Sequence, residues 1–374
     1  MNWMKYNLLL VSLLCVAVTS HASDSKNFTK ERTETFSVKE GALLNLENKY
    51  GTVTINTWDR QEMEVHLVIK VKTSSESKAE DIFDMIEVTM SGDEYGVEVA
   101  TVLDTDYSSG SWWDKMFGNS YDGKYEINYE VKVPKASKLM VVNKYGHLYV
   151  KGDMAGKATL VNKYGNIYTQ NIAGDVRLQL GYGTAKVGNV HNLDLEVKYS
   201  KVQIGDAIQV QAETKYSGIK LGVLSSLEST TKYDNYTIAG VEILHNAGKY
   251  DDFNIGSAGK LSIDSKYTDV HVQQLQSSLR CDGKYTTVVV HECTPAVERI
   301  AIEGRYTTVS IMTAHPFSLV FEGEDISPRL PDDFQAVEHS RDGDDTYIRG
   351  HRGGRGGAEI SAKMDDGSFK IREY

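Results

Sequence analysis

Between residues 138 and 312, apolar side chains fall at alternate positions in short runs, and the runs restart about every 17 residues. A tyrosine, usually preceded by lysine, marks each restart: Tyr145, Tyr164, Tyr182, Tyr199, Tyr216, Tyr233, Tyr250, Tyr267, Tyr285 and Tyr306. The spacings are 19, 18, five times 17, 18 and 21. Six residues before each tyrosine stands an apolar residue, from Leu139 and Ala158 to Leu261 and Ile300. Further apolar columns stand three and five residues after it, as in Ile219 and Leu221 or Val288 and Val290. A sparser one follows at eight, with Ile172, Val190, Leu224, Val241, Leu275 and Cys293. Period-two alternation predicts strands with one buried face, and a 17-residue repeat is too short for paired helices. The expectation is an all-β chain, a parallel β-solenoid of about 17-residue coils in which equal positions stack on one another.

The residue after each tyrosine is small or polar, from Gly146 to Thr307, which suits a corner. Counted by parity, the tyrosines point inward as a structural ladder that fills the bend, within reach of Asn143 and Asn162. The preceding lysines then point outward, on a face shared with Glu196, Glu213, Asp264, Asp282 and Glu303.

Two segments outside the main array, 44–55 and 360–371, fit the same template, the second with Asp366 in the tyrosine position. The predicted organisation is a leader at 1–22, a first coil with an N-terminal cap at 23–135, the main solenoid at 136–312, a loop or hairpin insertion at 313–358, and a terminal coil at 359–374. The cap reads as β-rich, with strands at 62–72, 95–103 and 124–133. Its one helix, within 75–88, places Ala79, Ile82, Phe83 and Ile86 on one face. Such a cover is expected over the open strand edges at one end of a repeat array. Within it, "SSGSWWDKMFG" at 108–118 offers Trp112, Trp113 and Phe117 as a partner contact, against the plainer reading of an apolar plug docked on the cap.

The first 22 residues, "MNWMKYNLLLVSLLCVAVTSHA", combine Lys5 with an apolar run from Leu8 to Val18 and small residues near Ala22. They read as an export leader, so the expected location is the periplasm or the cell surface and extracellular space. Bulky Leu14 before Cys15 argues against a lipid anchor, and no later segment is apolar enough to span a bilayer. A net charge of −11 argues against nucleic acid as a partner. "RGHRGGRGG" at 349–357 is a local exception, read as a flexible loop. Cys281 and Cys293 are left as either two core thiols or an internal disulfide.

Candidate chemistry is sparse. The ten histidines have no ligand spacing, and "DGDD" at 342–345 lacks the spaced oxygens of a calcium loop. There is no Ser-His-Asp set, P-loop or dinucleotide fingerprint. Asp234, Asp251, Asp252 and Asp269 fall near one corner edge and are the only candidates for a polysaccharide-cleaving enzyme. No cofactor or metal is expected.

Two passages, "FSVKEGALLNLENKYGTVTINTWD" at 36–59 and "YEVKVPKASKLMVVNKYGHLYVKG" at 129–152, together with the short coils, resemble a bacterial domain-of-unknown-function family labelled putative adhesin, related to the head-GIN putative autotransporter adhesins. The resemblance covers roughly residues 34–374. It implies an exported, non-enzymatic β-solenoid that presents a surface to an envelope protein, a glycan or a cell surface. It supplies no catalytic residues. The alternatives are a polysaccharide-active β-helix enzyme, or an envelope scaffold or sensor whose contact is the Trp112–Phe117 loop.

Overall fold

The computed structural model describes residues 25–103, 124–354 and 356–373. The leader at 1–22 and the aromatic residues Trp112, Trp113 and Phe117 lie outside the described residues. Among those described, the protein is all-β, with twenty-six strands and one helix. It divides into two units at the Val187–Gly188 bond.

The first unit holds β1 (Lys26–Ser37), β2 (Leu43–Lys49), β3 (Val53–Trp58), β4 (Glu62–Thr73), α1 (Glu76–Asp84), β5 (Ile86–Asp93), β6 (Gly96–Leu103), β7 (Lys124–Pro134), β8 (Lys138–Lys144), β9 (Leu148–Lys151), β10 (Ala158–Lys163), β11 (Ile167–Thr169), β12 (Val176–Gly181) and β13 (Thr184–Val187). Strands β2, β8, β10 and β12 pair in parallel, and so do β3, β9, β11 and β13, with equal repeat positions opposite one another: Lys49 faces Lys144, and Lys144 faces Lys163. The interrupting segment extends this stack. β6 lies parallel to β2 and β7 parallel to β3; β5 then adds antiparallel to β6, β4 to β7, and β1 to β4. α1 is shorter than the pattern suggests. Ser75 caps it by accepting from the Lys78 N–H, and it buries Ala79, Ile82 and Phe83, whereas Ile86 already opens β5.

The second unit holds β14 (Asn192–Lys198), β15 (Lys201–Ile204), β16 (Ala207–Lys215), β17 (Gly218–Lys232), β18 (Asn235–Lys249), β19 (Asp252–Lys266), β20 (Asp269–Lys284), β21 (Thr287–Val290), β22 (Arg299–Met312), β23 (Phe317–Glu324), β24 (Gln335–Asp342), β25 (Asp345–Arg352) and β26 (Ala358–Arg372). Parallel pairing again joins equal positions, as in Lys198, Lys215, Lys232, Lys249, Lys266 and Lys284 in turn. β26 pairs with β22, and β23 pairs in parallel with the other edge of β26. Residues 313–358 contain a strand and a hairpin: β25 is antiparallel to both β23 and β24. The "DGDD" stretch is the hairpin tip. Arg349–Arg352 belongs to β25, not to a free loop. The Arg352 side chain is buried and ion-paired with Asp333 at 2.7 Å and Glu373 at 3.0 Å, which explains why a cation can sit there.

The core follows the columns read from the sequence. Every residue six before a tyrosine, from Leu139 to Ile300, is buried, as is every residue three after, from Leu148 to Val309. The tyrosines themselves break the parity. All ten, and Tyr50 with them, have φ between 52° and 62°. A left-handed residue in an otherwise extended chain reverses which side the next side chain takes. The rings therefore turn outward, 40–49% exposed from Tyr145 to Tyr306, and do not fill the bend. The residue after them turns inward instead: Ser200, Ser217, Asp234, Asp251, Thr268, Thr286 and Thr307 are all buried.

Where glycine stands at one of the two positions flanking the tyrosine, two before or one after, the inside of the corner is filled from the other. In the first unit Asn48, Asn143, Asn162 or Leu180 occupies it from two residues before the tyrosine, and the residue after is glycine. The asparagines bond backbone, Asn162 Nδ2 donating to the Gly146 and Asn166 carbonyls at 3.1 Å each, and do not meet the tyrosine hydroxyls. In the later corners the filling residue is Thr286 or Thr307 and the earlier position is glycine. A Cβ on Gly283 or Gly304 would lie 3.0 or 2.8 Å from that threonine's Cβ.

Candidate binding surface

The left-handed corner places one tyrosine on the outside of each layer, directly over its counterpart. In the first unit Tyr50, Tyr145, Tyr164 and Tyr182 stack at 5.0–5.1 Å between centroids. In the second, seven tyrosines from Tyr199 to Tyr306 stack at 4.6–5.0 Å, with planes within 11°. The separation matches the strand spacing, so backbone register sets ring register. Stacked neighbours occupy the ring faces, and what remains open to solvent is a row of ring edges and hydroxyls. Tyr125 packs edge-on against Tyr50 at 5.6 Å and closes that end of the first ladder. After Tyr306 the equivalent position is Asp366, also left-handed at φ 57°, a residue that tolerates this backbone more readily.

A cation lies beside five of the eleven rungs. Lys163, Lys215, Lys232 and Lys284 place Nζ 5.3–5.6 Å from the centroid of the following tyrosine, and the Arg305 guanidinium does the same at 5.3 Å. Desolvation within the stack holds the Tyr233 phenol above its ordinary range, with Tyr250 and Tyr216 adding to the effect. That rung therefore stays a neutral hydrogen-bonding group at physiological pH.

The acidic corner candidates separate. Asp234 and Asp251 point inward and act as corner ties. Asp234 accepts from the Ser217 N–H at 2.7 Å and from Thr214 Oγ1 at 2.8 Å; Asp251 accepts from the Asp234 N–H at 2.9 Å and from Thr231 Oγ1 at 2.8 Å. Asp252 and Asp269 lie side by side at the starts of β19 and β20, half-buried and exposed respectively. The four carboxylates do not share one cleft.

Burial outweighs these bonds and pushes Asp251 up to about 6 from its ordinary 3.8. A carboxyl raised in the folded state favours folding below its unfolded value, and that contribution is lost as pH rises through the folded one. The unfolding midpoint of the protein is therefore expected to drift downward between about pH 4 and pH 7. Asp251→Asn should flatten that drift; an identical pH profile for the variant would refute the assignment.

Cys281 and Cys293 are both buried thiols with no disulfide between them, and burial pushes each up to about 12, which leaves them unreactive core residues. Among the described residues no group of three or more His, Cys, Asp or Glu is placed to hold a metal ion, and no helix is long and apolar enough to cross a membrane.

One feature of the second unit has no counterpart in the sequence reading. On the outward face of β18, β19, β20, β22, β26 and β23 lies a shallow groove of about 690 Å³, walled by Lys260, Arg280, Arg299 and Lys363. Each residue comes from a different strand, so no contiguous motif announces it. The signal is Lys260, Arg280 and Arg299, which stand seven, five and seven places before the successive tyrosines Tyr267, Tyr285 and Tyr306.

No family model matches the chain, and no curated protein does. Solved structures do match. A putative adhesin from Bacteroides fragilis is 12% identical, over 60% of this chain and 96% of its own, with a TM-score of 0.38. A putative cell adhesion protein from Clostridium sporogenes is 10% identical, over 92% and 100%, with a TM-score of 0.19. A putative lipid binding protein from Parabacteroides distasonis is 14% identical, over 92% and 96%, with a TM-score of 0.23.

Proposed function

We propose that the chain is an exported, non-enzymatic binding protein of the bacterial envelope. In this reading it is a parallel β-solenoid of about 17-residue coils, and its outward columns present an extended surface to an envelope protein, a glycan or a cell surface. The repeated left-handed tyrosine is the observation that carries it. A non-glycine residue at positive φ costs roughly 1–2 kcal/mol, and glycine or asparagine would hold the same corner with less strain. Eleven corners nevertheless use tyrosine, and ten of those rings are 40–49% exposed. Local strain that is kept in every copy, while a polar edge faces solvent, is what a binding row on a rigid frame requires. The stacks hold each side chain in place, so little rotamer freedom is lost when a partner arrives.

Phenylalanine separates the two roles of the ladder, because it keeps the stack and removes only the hydroxyl. Tyr216→Phe, Tyr233→Phe and Tyr250→Phe, made together, should leave the unfolding midpoint within a few degrees of the wild type. Retention of the labelled protein on intact bacterial or host cells should fall several-fold. Retention equal to wild type would remove the ladder from the binding surface.

A further inference from the structure

We infer that the groove on the outward face of the second unit is a site for an acidic polysaccharide, a chain of sugars that carry carboxylates. The inference rests on the binding-surface reading and names its ligand class.

The groove runs across the strands, along the direction in which the layers stack. Parallel register sets its rows. Lys260 and Arg299 flank Ser278, one strand to either side, so their backbones stand about 10 Å apart. Arg280 lies in the adjacent row, in register with Ser262 on one side and Ala301 on the other, and that row continues to Ser361. Short side chains thus form the floor and long cationic ones the walls. Glu303 and Glu322 line the same depression, in register with Lys363 from either side.

Lys260, Arg280 and Arg299 take part in no ion pair with a described residue, whereas Lys363 lies 3.9 Å from Glu322. Three unpaired cations converge here on a chain of net charge −11. An arginine offers two parallel N–H donors to a carboxylate. The floor serines can both donate to and accept from sugar hydroxyls, and the two glutamates accept only. This mixture fits a hydroxyl-rich polymer with spaced charges. Nucleic acid carries a phosphate at every residue and requires an unbroken cationic track, which the intervening carboxylates deny.

The test is affinity electrophoresis of the purified full chain through gels containing polygalacturonate, its uncharged methyl ester, or oligothymidylate. The expected result is retention by polygalacturonate alone, weakening as salt rises. The double variant Arg280→Ala/Arg299→Ala, confined to the exposed face, should lose at least about tenfold in affinity. Lys70→Ala/Lys72→Ala, which removes two exposed cations from β4, should behave as wild type. Equal retention by the methyl ester, wild-type affinity in the arginine variant, or preference for oligothymidylate would each overturn the inference. If polygalacturonate is ignored by a chain that still adheres to cells through its tyrosines, the groove assignment alone fails. A chain that adheres to nothing defeats both.

Discussion

Tyr216→Ala, Tyr233→Ala and Tyr250→Ala combined should lower the stability of the protein by about 6 kcal/mol in urea titrations. Four stacks disappear, between Tyr199 and Tyr216, Tyr216 and Tyr233, Tyr233 and Tyr250, and Tyr250 and Tyr267. Each aromatic pair contributes roughly 0.5–1.5 kcal/mol beyond the area it covers, and the half-covered rings add the rest at roughly 25 cal/mol per Å². Alanine keeps the left-handed strain while losing the compensation. The corresponding triple glycine variant loses the same contacts but is released from that strain. It should therefore be more stable than the alanine variant by about 1 kcal/mol per site, or about 3 kcal/mol in all. If alanine and glycine variants unfold together, the positive φ is not a source of strain, and the balance between backbone and stacking is wrong.

Gly146→Ala should destabilise by about 3 kcal/mol, the upper range for forcing an atom into a filled space. Its Cβ would overlap the backbone carbonyl oxygen of Gly51 in the neighbouring layer, and a backbone atom cannot swing aside. Asn143 already occupies that corner from within, donating to the Gly51 oxygen at 3.2 Å. The same change at Gly354, where no atom lies within 4 Å of the new methyl, should be nearly neutral and serves as the control. Equal effects at the two positions, measured as shifts in the unfolding midpoint, would contradict the close approach.

The inward columns were legible because apolar identity and burial coincide at Leu193, Val210, Leu227, Leu244 and Leu261, and because a constant offset forces like positions to meet. The direction of the tyrosines was not. Counting alternate residues assumes extended backbone throughout, and tyrosine is a residue that seldom takes positive φ, so nothing in its identity flags the reversal. A weak signal was present in the following column, where Ser217, Thr268 and Thr307 are polar yet small enough to turn inward. Arg352 was illegible for a different reason. Its burial depends on Asp333 and Glu373, which lie 19 and 21 residues away and meet it only once the strands pair. The groove was hidden likewise, since Lys260, Arg280 and Arg299 come from three strands and meet only once those strands pair.

Equal spacing along the ladder has a consequence for any long partner that reads it. In the second unit the rungs repeat at 4.6–5.0 Å with the same chemistry, so a partner shifted by one rung recovers what it has just released. Such a ligand has no preferred register and can slip lengthwise without letting go. With roughly five interchangeable placements for a short segment, the multiplicity alone contributes about 1 kcal/mol (RT ln 5) to its hold, and grip grows with the number of rungs while the address of each stays the same.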